Sequence, residues 1–147
     1  MDLLSFYLDE QLYALSLVQV RRVLPPVAIS PLPRGPTAVI GMVNVAGEAI
    51  PVVDLRARLQ LPSRELTLED RLLWVLVAGR NLLLPVDAVD DVLSLSSAEI
   101  LAADTLPAAP PLLRGVICMP QGILLIEDLT EVLSLEEQRE LDDALAG

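Results

Sequence analysis

V-I-G-M-V-N-V-A-G-E-A-I-P-V-V-D-L-R, running from Val39 to Arg56, is the stretch on which the fold turns. It predicts a strand over Met42 to Val45, a tight turn holding Gly47, and a returning strand over Ala49 to Val53. Gly47 is the residue that can take positive φ in such a turn without a Cβ penalty. The returning strand stops at Asp54, which can cap the short helical pattern Leu55-Arg56-Ala57-Arg58-Leu59. Taken alone, this is a β-hairpin that runs into a helix.

Composition bounds what the rest can be. The chain has 147 residues, 53% of them hydrophobic, with a mean hydropathy of +0.55, enough to bury a sizeable core. Four aromatic residues (Phe6, Tyr7, Tyr13, Trp74) leave that core mostly to Leu, Val and Ile. The longest run free of charge, Gly35 to Gly47, is too short and too broken by Gly and Pro to span a bilayer. The N-terminus meets Asp2, Asp9 and Glu10 before any base, unlike a secretory signal. The single Cys118 cannot form an intrachain disulfide, which fits a cytoplasmic protein. A net charge of −11 repels nucleic acid and anionic membranes. Eight of the 21 acids fall between Glu127 and Asp143, where they are expected to solvate the C-terminal end.

Along the chain, F-Y-L from Phe6 and L-Y-A-L-S-L from Leu12, separated by Asp9-Glu10-Gln11, predict an opening hairpin. Leu17, Val20, Val23 and Leu24 suit either a helical turn or a twisted strand. A proline-rich crossover (Pro25, Pro26, Pro31, Pro33, Pro36) precedes the organising stretch, and a polar connector from Pro62 to Asp70 follows it. The second half repeats the first. Phe6, Leu8, Tyr13, Leu15, Leu17, Val20 and Val23 align at one constant offset with Val75, Val77, Leu82, Leu84, Val86, Val89 and Val92. At a slightly different offset, Leu32, Pro33, Pro36, Gly41, Asp54, Leu55 and Leu59 align with Leu106, Pro107, Pro110, Gly115, Asp128, Leu129 and Leu133. The repeat divides the chain at approximately 1–68 and 69–147, and two such halves suggest two small β-barrels side by side. Closure would also deal with hydrophobic strand edges that otherwise aggregate. At the C-terminus, Ser134 and Glu137 form a capping box for a helix whose Leu135, Leu141 and Leu145 make a narrow apolar stripe expected to pack on the second barrel.

Asp54 and Asp87 each follow a Pro-containing strand and can be weighed as a catalytic carboxylate pair. Capping at a strand end explains both without catalysis. Asp90-Asp91 and Glu69-Asp70 read as solvated faces. The chain lacks His, the commonest general base and metal ligand, and has no calcium loop and no glycine-rich phosphate cradle. No cofactor and no metal are expected. A small-molecule-binding β-barrel is the competing class, but no convergent polar groups are placed in an apolar cavity.

The order of residues resembles the signature of CheW-like domains, the coupling modules of bacterial chemosensory arrays. In that family a Gly-hydrophobic-hydrophobic-Asn-hydrophobic-Arg-Gly turn precedes a hydrophobic-Pro-hydrophobic-hydrophobic-Asp-Leu-Arg segment. Gly41, Asn44, Gly47, Pro51, Asp54, Leu55 and Arg56 match, and Ala46 stands where the family usually has the Arg. Phe6-x-Leu8 with Tyr13-Ala14-Leu15 resembles the family's opening hairpin, and Pro31-Leu32-Pro33-x-x-Pro36 its crossover. Val86-Asp87-x-Val89-x-x-Val92-Leu93-x-Leu95 resembles its central segment. Leu113-x-Gly115-Val116 and Leu124-Leu125-Ile126-x-Asp128-Leu129 resemble its closing hairpin. Leu84-Pro85 replaces a common Ile-Gly, and Arg22 sits where many members carry an acid.

The resemblance implies a single CheW-like domain over 1–147. It would be mainly β, with two small five-stranded SH3-like β-barrel subdomains packed together, short helices and a C-terminal helix. It implies a non-enzymatic adaptor that links the regulatory domain of a CheA-type histidine kinase to the cytoplasmic tips of methyl-accepting chemoreceptors. A receptor helix would lie in the groove between subdomains. The paralogous alternative is an adaptor for surface motility or second-messenger output. The contact positions the resemblance carries over are Val20, Arg22, Gly41, Val43, Asn44, Val45, Ala46, Gly47, Val89 and Val92. With Ala46 and Arg22 departing from the pattern, a preference for a matched kinase or receptor is expected.

Overall fold

The computed structural model describes residues 1–102 and 111–146. The repeat positions Leu106, Pro107 and Pro110 lie outside them. Strands β1 (Asp2–Leu8), β2 (Gln11–Ser16), β3 (Val20–Leu24), β4 (Val39–Val45) and β5 (Glu48–Val53) lead into helix α1 (Leu55–Arg58). Strands β6 (Arg71–Val77), β7 (Arg80–Val86), β8 (Ala88–Ser94), β9 (Leu101–Ala102), β10 (Leu113–Met119) and β11 (Gly122–Glu127) precede helix α2 (Leu135–Ala146). The ambiguous segment after β2 is both of its alternatives in turn, a 3-10 turn at Leu17–Gln19 and then β3.

The strands form two sheets, ordered β3-β6-β7-β5-β4 and β8-β1-β2-β11-β10-β9. The sheets do not divide where the sequence repeat divides. The opening hairpin β1–β2 lies between β8 and β11 of the second half, and hairpin β6–β7 lies between β3 and β5 of the first. The pairing senses correspond as well: β3–β6 and β8–β1 are antiparallel, β5–β7 and β11–β2 parallel. Each half therefore lends its hairpin to the other half's sheet. Among the described residues, no strand pair closes either ladder into a ring. In the first sheet the crossover bends back instead, and Ser30 exchanges two backbone hydrogen bonds with Met42 (2.8 and 2.7 Å).

Strand alternation explains why the chain is so apolar. In β7, Leu83 points into a private core with Val43, Ile50, Val52 and Leu72, whereas its neighbours Leu82 and Leu84 point into a central core. In β2, Leu12 and Ala14 face a second private core with Leu3, Ile117, Leu124 and Ile126; Tyr13 and Leu15 face the central one. The central strands are thus buried on both faces. The stacked rings of Phe6 and Tyr13, with centroids 5.9 Å apart, sit in the shared core.

The capping box of α2 forms as expected, with Glu137 N–H donating to Ser134 Oγ (3.1 Å) and Ser134 N–H to Glu137 Oε1 (2.9 Å). The expected stripe is narrower: Leu141 is fully buried in the central core, while Leu135 and Leu145 are exposed. Ion pairs tie the helix down, Arg58–Glu137 from α1 and Arg80–Asp142 (2.7 Å) from β7.

One acid assigned to solvation is interior. Glu127 is 2% exposed, and neither carboxylate oxygen has a hydrogen-bond partner among the described residues. It occupies the repeat position of Val53, which lies in the central core, and alternation places it on the face of Leu125, packed against that core. Burial pushes its carboxyl up to about 8. The folded protein then holds a proton that the unfolded chain releases above about 4.3, so stability falls as pH rises through that window. Glu127→Gln keeps the shape and removes the ionisation. Thermal or urea unfolding should show the variant matching wild type near pH 4.5 and exceeding it by on the order of 3 kcal/mol at pH 8. A difference independent of pH would exclude a buried titrating carboxyl.

Candidate functional site

The turn between β4 and β5 places Ala46 at φ 51° and Gly47 at φ 88°. Two successive positive φ values define the hairpin turn whose twist matches the flanking strands. Gly47 meets this requirement freely; Ala46 does so at a steric cost of roughly 1–2 kcal/mol. Asn44 stabilises the turn by accepting the Gly47 N–H at 2.8 Å. Asn44, Ala46 and Gly47 are exposed and Val45 is half-buried, so the turn offers a surface.

Gly41 and Val43 do not. Val43 is 5% exposed and belongs to the private core of the first sheet. A Cβ at Gly41 would lie 2.3 Å from the Ser30 carbonyl oxygen and 2.7 Å from Ile29 Cγ2, so the glycine is what lets the crossover bridge Met42. A larger residue there would disturb the fold, and any loss of binding would not report a contact.

The remaining positions lie on two edge strands. Val20 and Arg22 are on β3, at the opposite edge of the first sheet from β4; Val89 and Val92 are on β8, an edge of the second. Val20 and Val89 lean on the central core, Arg22 is exposed, and Val92 is 53% exposed. The ten positions therefore fall on three segments, the β4–β5 hairpin and the two edge strands β3 and β8, and two of the ten, Gly41 and Val43, are interior.

The triplet Asp54-Leu55-Arg56 is wholly structural. Asp54 accepts the Ala57 N–H (3.3 Å) as the cap of α1, and Leu55 is fully buried in the central core. Arg56, 7% exposed, donates to Asp9 Oδ1 (2.8 Å), to both oxygens of Asp87 (2.9 and 2.8 Å) and to the Pro62 carbonyl (3.1 Å). Asp87 also accepts from Arg64 and from the Asp9 N–H (2.6 Å). Arg64 grips Asp70 through two bonds (2.8 and 3.2 Å), and Asp70 accepts the Thr67 N–H (2.8 Å). This clamp joins the β1–β2 turn of one sheet, the β7–β8 passage between sheets, α1 and the connector.

The clamp corrects two readings. Asp70 is 4% exposed rather than on a solvated face, and Asp87 receives arginines rather than a helix end. Burial alone would raise the Asp87 carboxyl, but hydrogen bonds from Arg56 and Arg64 outweigh it and hold it below the usual range. Charge runs cannot announce such a cluster, because its members come from four segments. A second group that patterning missed surrounds Trp74. Arg21 lies over its ring at 4.7 Å, and Arg21 Nη1 and Trp74 Nε1 both donate to Asn81 Oδ1 at 2.9 Å. Among the described residues, no group of His, Cys, Asp and Glu could hold a metal ion, and no helix is long and apolar enough to cross a membrane.

Two hairpin-exchanged sheets over a shared core, with Asp54 committed to a cap and Asp87 to a clamp, define a two-sheet β module with exposed edge strands. The chain belongs to the CheW-like domain family, whose model matches residues 2–137. It is similar to the chemotaxis protein CheW of Rhizobium meliloti, 27% identical over 93% of this chain and 90% of that one. It is also similar to the chemotaxis protein CheW of Bacillus subtilis, 31% identical over 69% of this chain and 65% of that protein. The crystal structure of the scaffolding protein TtCheW from Thermoanaerobacter tengcongensis superposes with a TM-score of 0.83 at 25% identity, covering 92% of this chain and 94% of that one.

Removing one partner of a buried ionic cluster strands the others, at a cost of about 3–5 kcal/mol when burial is deep. Asp87 is partly open, so Asp87→Asn should cost less, about 2 kcal/mol at pH 7 in chemical denaturation. A carboxyl whose folded pKa is depressed stabilises above its unfolded value, about 3.9, and that contribution fades as pH falls below it. The penalty of Asp87→Asn should therefore shrink below about pH 4. A penalty unchanged into strong acid would show that charge plays no part.

Proposed function

We propose that this protein is a non-enzymatic chemotaxis adaptor that couples the cytoplasmic tips of methyl-accepting chemoreceptors to the regulatory domain of a CheA-type histidine kinase. The observation that carries the reading is the CheW-like match across residues 2–137 together with a fold shared end to end with a scaffolding protein. The chemistry of the chain agrees, since Asp54 and Asp87 are committed to a cap and a clamp. The adaptor acts from the cytoplasm, recruited to receptor arrays without inserting into the membrane, and a net charge of −11 keeps it off nucleic acid and anionic lipid. Contacts are made through the exposed members of the candidate set, Arg22, Asn44, Ala46, Gly47 and Val92, with Val20, Val45 and Val89 beneath them. Sheet order supports dividing the domain into two subdomains that share the central core.

A second reading, service to a paralogous chemosensory system, is favoured by Ala46 and Arg22. A turn without the guanidinium lacks charge-assisted hydrogen bonds worth roughly 1.5–3 kcal/mol each. That corresponds to about ten- to hundredfold in affinity for a partner shaped to expect them. An exposed Arg22 in place of an acid asks for an acid on the matched partner.

Isothermal titration against the cognate kinase regulatory domain and receptor tip tests both. Arg22→Glu should weaken one of the two interactions at least about tenfold and leave the melting temperature unchanged, because Arg22 is exposed. Unaltered binding to both partners would remove β3 from the interface, and no binding of wild type to either would remove the adaptor reading.

A further inference from the structure

Strand β8 does not run regularly along β1. Leu4 pairs with Val92 and Phe6 with Val89, so Ser5 stands opposite two residues, Asp90 and Asp91. This is a β-bulge, and its extra residue changes which way the side chains beyond it face. In a regular strand Val89 and Val92, three apart, would point to opposite faces. Here both take the face of their partners Phe6 and Leu4, which line the central core. Val89 packs against that core, and Val92, 53% exposed, is presented on the same face. Leu93 is turned to the other face and packs with Leu3 in the second private core. The two valines of the candidate contact set share a face because the strand is bulged.

Ser5 holds this bulge. It is fully buried, and alternation puts it on the face of Leu3 and Tyr7, toward the second private core. Its hydroxyl donates to Asp90 Oδ2 (3.0 Å) and the Asp91 carbonyl (3.1 Å) and accepts the Asp91 N–H (3.0 Å). All three bonds go to the bulged pair. On β8 itself, Asp91 Oδ1 accepts the Val92 N–H (2.8 Å), so that amide is not offered to an incoming strand and recognition falls to side chains. The first half is built alike. At the repeat position of Ser5, Trp74 pairs with Arg22 where β3 shifts register, and Arg21 lies over its ring at 4.7 Å. The brace there is a ring and a cation; on β8 it is a hydroxyl and a carboxylate.

We propose that Ser5 is a positioning residue for the partner contact on β8: by bracing the Asp90–Asp91 bulge, it sets Val89 and Val92 on one face beside the exposed carboxylates. Without the hydroxyl, the Asp91 N–H loses its partner on β1, and the pair is free to relax toward regular pairing, which turns one valine away. The inference rests on the adaptor reading and deepens it, naming the interior group that shapes one contact surface.

Titration of the full chain against the cognate kinase regulatory domain and receptor tip, with site-resolved amide exchange of the chain alone, is the test. Val92→Glu identifies the partner that uses β8, lowering its affinity at least about tenfold. Ser5→Ala should lower the same affinity at least about tenfold, leave the other within about twofold, and keep a cooperative unfolding transition. In the chain alone, its Asp91 amide should exchange at least about tenfold faster, with the β2 amides unchanged. Asp90 is exposed, so its variants spare the core. Asp90→Asn keeps an oxygen for the Ser5 hydroxyl and should bind as wild type does. Asp90→Ala removes that oxygen and should weaken the β8 partner alone, at least about threefold. If Ser5→Ala loses its cooperative transition, this pair decides. Equal losses from Asn and Ala make Asp90 a charge contact and overturn the positioning role. So do unchanged exchange at Asp91, a Ser5→Ala protein that keeps both affinities or loses both equally, and a Val92→Glu protein that binds both partners normally. Wild type that binds neither partner overturns the adaptor reading and this inference with it; any of the other results, with wild type binding, overturns this inference alone.

Discussion

Everything in this molecule depends on strands that are buried on both faces. A sheet with one wet face can stand by itself; the β1–β2 and β6–β7 hairpins cannot, because alternate side chains demand two different cores. Phe6, Leu8, Tyr13 and Leu15 supply the central core beside Leu73, Val75, Leu82 and Leu84, residues contributed by the opposite half of the chain. Because each hairpin sits in the middle of the other half's sheet, the two subdomains are parts of one folding unit. The central core is then a shared interior, and the edge strands and the β4–β5 turn are left exposed around it.

The polar interior follows from that arrangement. Arg56 emerges from the end of β5 next to the turn of the exchanged hairpin, and the clamp with Asp9, Asp87, Arg64 and Asp70 fixes the two sheets where the chain passes between them. Every carboxylate in it faces a guanidinium, and the third acid, Asp9, is half exposed, so burial of the rest is tolerated. Glu127 is the opposite case, a lone carboxyl at the position where the repeat has Val53, kept neutral by its surroundings.

Much of this was legible in the residues. The hairpin over Val39 to Arg56, the cap at Asp54, the Ser134–Glu137 capping box and the two-part β architecture follow from local chemistry, which needs few distant partners to be right. The family resemblance rested on the same local signals, and the match over 2–137 bears it out. Hairpin exchange was not legible, since periodicity reveals how many faces of a strand are buried and never which strand lies beside it. The burial of Asp70 and Glu127 escaped for a related reason: a charge looks solvated until its distant neighbours are known. Gly41 was carried over with the turn that follows it, whereas its place is set by the Ser30 carbonyl eleven residues earlier in the crossover.

The account makes the two halves mutually dependent, and splitting the chain in its connector measures that dependence most directly. Residues 1–68 and 69–147 produced separately should each show no cooperative thermal transition, because each lacks the hairpin that fills the middle of its sheet. Mixed in equal amounts, they should recover one transition and the β-rich circular dichroism of the intact chain. A cooperative transition from either half alone would contradict the exchange of hairpins as the basis of the fold.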